Sequence, residues 1–525
     1  MSPQTLENII CIYAVCVVVL TAGVLVNFMK NRHSVSNTGK HELAKLWSFA
    51  FLMVSAGYLC LVLKKHYGVD SFCLYWDPAP FHPIAEGRYF KAALYIFFLR
   101  TNINLIEFQQ VFFALYLPAT ATSAIIIASS FMRIMKITDL SKKMVLTACV
   151  LLIFINTFSM ELLLFPEVAL ENTIGNLIFA CGLYIWLYDF NRPLRWILTF
   201  IFVFAMTTVY QLYMPMFVVA ALTGTGIRHE KEIKEKYKEA VFILITGVMS
   251  WGIDFAFMTV LEKVGAVGPS DSVEELSLDL ILSNAKNVIK VQKEIWTTCL
   301  GTYRVPFVMT AFGAGLLLVA LMAFIRVKDN KRRLYWLLTF AGSYLLCFAV
   351  HFIEQPQEIT PRSLLPIWSV IAALLIIGLY KETRPVYVIV LLMIMVNLFH
   401  MNDMSVNLLQ TNEQDLYEAK VIADRIMEYE QKTGEKVTNT VFRTDGNMVY
   451  HHPDSRYKVY QLGARIMATY FSRYHCVGYF LGRDLTDEFM ADEDFQRLGH
   501  GKDWDSFVPD EQIFIEDGKA YVFTY

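Results

Sequence analysis

The sequence predicts an α-helical polytopic membrane protein of about twelve transmembrane helices, followed by a C-terminal extracytoplasmic α/β domain. Three observations predict it. Of the 525 residues, 55% are apolar and only 18% charged, against about 25% charged in soluble proteins. Apolar runs of about 20 residues recur, enough to cross ~30 Å of hydrocarbon. Lys and Arg collect in alternate loops, and beyond residue 400 the apolar runs stop.

The spans fall over residues 9–29, 46–63, 109–132, 144–165, 172–188, 196–211, 212–227, 240–262, 305–326, 334–351, 363–380 and 385–400. The first has no basic leader and no small-residue cleavage site, so it reads as a retained span. Basic residues mark one set of loops: Lys30 to Lys45, Arg133 to Lys143, Arg192 and Arg195, Arg228 to Lys238 (through Lys231), Lys328 to Arg333, Lys381 and Arg384. That set reads as cytoplasmic. Both termini and the loops 64–108 and 263–304 then lie on the opposite, outer side. The expected division is a transmembrane domain over 1–400 and an outer α/β domain over 401–525.

In the outer domain, EQDLYEAKVIADRIMEYEQKTGEK has apolar residues at helical spacing with Gly434 near its end, the pattern of an amphipathic helix. VTNTVFRTD reads as a strand. EQIFIEDGKAYVFTY reads as a hairpin, since Asp517-Gly518 suits a type I′ turn.

The net charge of −2 and the lack of a basic domain give no support to a nucleic-acid partner. Most of the nine cysteines lie in spans, and none has metal-type spacing. Cys73, Cys299 and Cys476 fall in outer segments, where a disulfide is an open alternative. No phosphate-binding GxxxxGK loop, GxSxG elbow, HExxH or EF-hand pattern is present. A divalent cation held by loop carboxylates is left open.

Charged and polar residues cluster on the outer side. The segment YGVDSFCLYWDPAPFHPIAEGRYFK, residues 67–91, holds Asp70, Asp77, Glu86, Arg88 and Lys91. Pro78, Pro80, Pro83 and Gly87 bend it. RYFKAALYIFFLRTNINLIEFQQ follows as an expected interfacial amphipathic helix. An acidic turn carries Glu161, Glu167, Glu171 and Asn172; carboxylates beside spans usually face a cavity or water. Tyr210 and Gln211 stand at an outer junction of two spans. Arg304 and Arg362 stand beside prolines at outer span starts, where a guanidinium fork suits a phosphate. Asp254 lies inside a span, and an intramembrane carboxylate is a functional candidate.

These pieces, in this order, resemble the phage-type O-antigen glucosyltransferases (Gtr type II) of the GT-C superfamily. The resemblance rests on Tyr67-Gly68-Val69-Asp70, on Glu86-Gly87-Arg88 opening a helix, on Pro166 to Asn172, on Tyr210-Gln211 and on Pro361-Arg362. It departs where family members often pair two acids and this chain has Asp70-Ser71. The resemblance implies transfer of glucose or a related hexose or N-acetylhexosamine, with inversion. The donor is a polyprenyl-phosphate-linked sugar, and the acceptor a cell-envelope glycan at the outer face of the cytoplasmic membrane. The expected roles are a base from Asp70, with Asp77 or Glu86 in support, and donor-phosphate contacts from Arg88, Lys91, Arg304 and Arg362. Sugar or acceptor contacts come from Glu167, Glu171, Asn172, Tyr210 and Gln211. The rival readings are a lipid-linked sugar transporter or flippase, an envelope-glycan polymerase or ligase, and a non-catalytic scaffold. No internal repeat of the transporter kind is evident.

Overall fold

The computed structural model describes residues 3–36, 39–77, 79, 81–230, 232–268, 277–352, 359–444, 450–459, 461–499 and 504–524. Pro78, Pro80, Lys231, Asp445, Tyr525 and residues 269–276 of the 263–304 loop lie outside them.

The protein is mostly helical, with a small sheet at its C-terminal end. Among the described residues, nine helices are long and apolar enough to cross a membrane. They are Gln4–Arg32, Lys40–Leu63, Gln109–Met135, Pro166–Leu187, Arg192–Val209, Ile233–Lys263, Val308–Ile325, Pro361–Tyr380 and Pro385–Thr433. Three expected spans are shorter. Leu140–Leu151, Tyr213–Arg228 and Asn330–Leu346 have 12, 16 and 17 residues, and so reach about 18, 24 and 26 Å. The first breaks because Asn156 caps a second helix, Thr157–Leu163, by accepting from Ser159 N at 2.8 Å. Tyr213–Arg228 is buried from Tyr213 to Ile227, so protein rather than lipid surrounds it.

The basic loops are tied to one another by ion pairs. Asp189 takes Arg133 and Arg228, the latter at 2.7 Å, while Arg192 meets Glu235 at 2.7 Å and Lys142 meets Glu382 at 3.0 Å.

The last span and the amphipathic helix are one element. Pro385–Thr433 runs unbroken for 49 residues, about 74 Å, and stops at Gly434 with φ 75°. Beyond it, β1 (Asn439–Thr444), β2 (Thr486–Phe489), β3 (Ile513–Glu516) and β4 (Lys519–Thr524) form a sheet in the order β2-β1-β4-β3. β1 runs parallel to β2 and to β4. β3 and β4 form the antiparallel hairpin expected from Asp517-Gly518, whose φ values are 49° and 69°; both central residues of a type I′ turn need positive φ. Ala419, Ile422, Ala423 and Ile426 of the long helix pack into the same core as Phe442 and Val522 of the sheet. All nine cysteines are free thiols.

Candidate active site

The first part of the site is the turn after Lys40–Leu63. Ser71 N donates to Gly68 O at 3.2 Å, and Ser71 Oγ accepts from Gly68 N at 2.9 Å. This closes Tyr67-Gly68-Val69-Asp70 into a tight unit. Asp70 precedes the short helix Ser71–Trp76, but its carboxylate makes no capping hydrogen bond. It is left to the electrostatic field of Arg362, Lys91 and His82, with Glu86 opposing. Ser71 Oγ donates onward to Glu167 Oε2 at 3.4 Å. Glu167, nearly 100 residues away in the sequence, is thus tied to the turn that carries Asp70.

The turn is held from behind by the long helix. Asn412 Oδ1 accepts from Tyr67 N at 2.7 Å, and Asn412 Nδ2 donates to Tyr67 O at 3.0 Å. Both backbone groups of Tyr67 are satisfied by one amide.

Glu86, Gly87 and Arg88 form the second part. Gly87 has φ 75°, which lets the chain reverse before the helix Tyr89–Thr101. Arg88 Nη1 meets Glu86 Oε2 at 3.0 Å, and its Nε donates to Gln211 Oε1 at 3.4 Å. Gln211 Nε2 returns a hydrogen bond to Glu86 O at 2.5 Å. The Arg88 guanidinium lies over the Tyr210 ring, 5.1 Å from its centroid. One turn further, Lys91 Nζ meets Glu171 Oε2 at 3.6 Å and stands over Tyr95.

The acids of the third part sit at helix starts, where the backbone N–H groups favour negative charge. Pro166 opens the turn Pro166–Val168, which carries Glu167, and Glu171 lies in the first turn of Ala169–Leu187. Both acids are buried. Arg362 follows Pro361 in the turn Pro361–Leu364. Its backbone N–H, an orphan at such a position, donates to Glu161 Oε2. Its guanidinium donates to Gln461 Oε1 of the C-terminal region at 2.6 Å and lies 4.5 Å from the Phe165 centroid.

The result is a mixed cluster. Burial pushes the Asp70 carboxyl above its ordinary range, and Arg362, Lys91 and His82 oppose that only in part. Burial works against the Lys91 ammonium too, but Tyr95 and Glu171 outweigh it, so its pKa lies above that of ordinary lysine. A carboxylate with a raised pKa beside fixed cations is the arrangement of a base next to an anion site.

Not every candidate from the sequence joins the cluster. Asp77 is exposed and accepts from Ala79 N at 3.1 Å, ending its short helix. Arg304 pairs with Asp403 at 3.2 Å, and Asp403 also accepts from Arg456 and from Tyr457 Oη at 2.9 Å. The Asn172 amide is occupied within the protein, by Val168 O at 2.9 Å and Tyr213 Oη at 2.9 Å. Gln461 and Asn412 carry no sequence signal for their roles. Asp254, singled out from its span, is buried against Gly87, and its Oδ1 has no hydrogen-bond partner. Among the described residues, no group of three or more His, Cys, Asp or Glu side chains is arranged to hold a metal ion.

Residues 59–379, more than half of the chain, match a family model described as Glucosyl transferase GtrII. The matched segment contains every residue of the site described above except Asn412 and Gln461. No curated protein and no solved structure matches the chain.

Proposed function

The chain belongs to the glucosyl transferase GtrII family and is a glycosyltransferase, and from that premise we propose that it moves a sugar from a polyprenyl-phosphate donor to an envelope polysaccharide. The observation that carries this reading is the Asp70 carboxylate in the field of Arg362, Lys91 and His82, with Arg88 paired to the neighbouring Glu86, beside apolar helices. Phe97 and Leu99, on the helix that starts beside Arg88, are about half exposed. In a bilayer they would lie in the acyl region, which puts the adjacent cations at headgroup depth.

The chemistry follows in one displacement. The acceptor hydroxyl oxygen attacks the anomeric carbon, the bond from that carbon to the phosphate oxygen breaks, and the electron pair leaves with the phosphate. Asp70 takes the hydroxyl proton. A hydroxyl is a poor nucleophile, and a positioned base contributes about 10²–10⁴-fold. The departing lipid phosphate needs charge stabilisation rather than a proton, and Arg88, Lys91 and Arg362 supply it. Attack opposite the leaving group inverts the anomeric centre, as in GT-C enzymes. Glu86 orients Arg88, and Glu171 and Glu167 hold the field around Lys91 and Ser71. Gln211, whose amide bonds Arg88 and Glu86 O, and Tyr210, under the guanidinium, hold Arg88 in position. The basic loops face the cytoplasm, and the site opens on the outer face of the cytoplasmic membrane.

The test is transfer by the purified protein in nanodiscs with host envelope polysaccharide as acceptor. Polyprenyl-phosphate-glucose, the related polyprenyl-phosphate hexoses and UDP-glucose are offered in turn. Sugar is expected to appear on the polysaccharide only from a lipid-phosphate donor. Transfer from UDP-glucose alone would refute the donor assignment.

A further inference from the structure

The outer stretch of the long helix borders an open cleft of about 580 Å³ that none of the residues above lines. Asn407, Gln410, Thr411, Gln414 and Tyr417 border it from one stripe of the helix, and His452 closes it from the C-terminal region. Spacings of three, four, seven and ten residues put the stripe on one face, about 15 Å long. Tyr417 is 61% exposed. His452 is 5% exposed, and neither of its ring nitrogens has a hydrogen-bond partner. A buried imidazole with both nitrogens unused is costly unless something outside the chain satisfies it. Burial and then the nearby Arg465 hold that imidazole below its ordinary pKa, with Asp454 opposing. It is therefore neutral at pH 7 and offers one donor and one acceptor.

We infer that this cleft binds the neutral polysaccharide acceptor, an assignment that rests on the transferase reading above and adds the acceptor's place to it. Three features choose the ligand class. Among the described residues no aliphatic side chain lines the cleft, and its aromatic surfaces are the rings of Tyr417 and Phe507. The Asn407 amide is held by Ser455 Oγ and Arg456 N, and the Thr411 hydroxyl by Leu408 O. That leaves the Gln410 and Gln414 amides and a neutral imidazole, which suit groups that both donate and accept, as sugar hydroxyls do. The charged residues at its border are Glu413, Glu418 and Asp454. Glu418 is paired with Arg465 at 2.8 Å and Glu413 with Lys64 at 3.1 Å. Among the described residues no Lys or Arg lines the cleft, so nothing in it selects a phosphate or an acidic glycan. The same helix links the cleft to the transfer site, because Asn412, between Thr411 and Glu413, holds the Tyr67 backbone.

The test uses the full chain in nanodiscs without donor, titrated with delipidated neutral polysaccharide from the host envelope, with heparin as a polyanion control. Wild type and Asp70→Asn are expected to bind the polysaccharide equally and to ignore heparin. Tyr417→Ala is expected to weaken binding about tenfold through the lost ring face, and Tyr417→Phe to retain it. His452→Phe is expected to weaken binding at an unchanged melting temperature. In the transfer assay Tyr417→Ala raises the acceptor KM with kcat within about twofold. Unchanged binding in Tyr417→Ala and His452→Phe, or binding of heparin instead, overturns the inference. The two readings fail separately: binding through the cleft without any transfer removes the transferase donor assignment alone, and transfer with a wild-type acceptor KM in Tyr417→Ala removes the cleft alone.

Discussion

The Asp254 carboxylate fills the space where a side chain at residue 87 would start: a Cβ built on Gly87 falls 2.5 Å from Asp254 Oδ2 and 2.8 Å from Met258 Sδ. Gly87 also has φ 75°. The Glu86-Gly87-Arg88 unit is therefore pinned by contact and by backbone conformation together.

Gly87→Ala is expected to cost about 1–3 kcal/mol from the left-handed backbone alone, and more from the contact. Its main effect is to move Glu86 and Arg88 away from Gln211. Turnover should fall by more than tenfold while the protein still inserts and purifies. Size-exclusion profile and initial rate measure the two separately, and a rate within twofold of wild type would disprove the pinning.

Asp70 ties stability and activity to pH in opposite senses. Its raised pKa means the folded state holds the proton more tightly than the unfolded chain. That contribution to stability is present at low pH and is lost as pH rises through the folded pKa. Turnover needs the ionised form and rises over the same window. Asp70→Asn should therefore keep or raise the melting temperature at neutral pH and flatten its dependence on pH through that window. Thermal melts of both proteins from acid to neutral pH check this; a lower melting temperature for Asp70→Asn at pH 7 would contradict it.

The outer arginines are expected to separate. Arg362 lies in the field of Asp70 and joins Glu161 to Gln461. Arg362→Ala should reduce kcat/KM by about 10²-fold, the scale of one lost transition-state donor. Arg304, with its side chain 47% exposed and paired with Asp403, belongs to an interaction class worth about 0–1 kcal/mol. Arg304→Ala should change kcat/KM by less than about threefold. Equal losses in the two variants would remove the distinction.

Asn412→Ala strips both hydrogen bonds from the Tyr67 backbone. A buried group left unpaired costs about 1–3 kcal/mol. The loosened turn carries Asp70, so kcat should fall further than the melting temperature suggests. A variant with wild-type kcat would show that the turn keeps its shape without the amide.

Much of this was legible in the sequence for identifiable reasons. Apolar length located the helices because hydrocarbon thickness is a fixed ruler. The Asp517-Gly518 hairpin was legible because few residues tolerate two successive positive φ values. Glu86-Gly87-Arg88, Tyr210-Gln211 and Arg362 were legible because polar groups at span ends need a reason to be there. Other features depend on tertiary contact. The break at Asn156 hides in an apolar run, since a single capping side chain makes it. The fusion of the last span with the amphipathic helix hides because a helix can cross from lipid to water with no local signal. The grip of Asn412 on Tyr67, 345 residues away, and of Gln461 on Arg362 have no local signature at all. Asp77 and Arg304 carried the right chemistry in the right segments, but the fold spends them on a turn and on Asp403.

The most direct test of the central claim is single-turnover transfer by Asp70→Asn in nanodiscs, with saturating polyprenyl-phosphate-glucose and host polysaccharide. The account predicts a rate at least about 10²-fold below wild type, with donor and polysaccharide binding intact. A rate equal to wild type, in protein shown to be folded and loaded with both substrates, would contradict it.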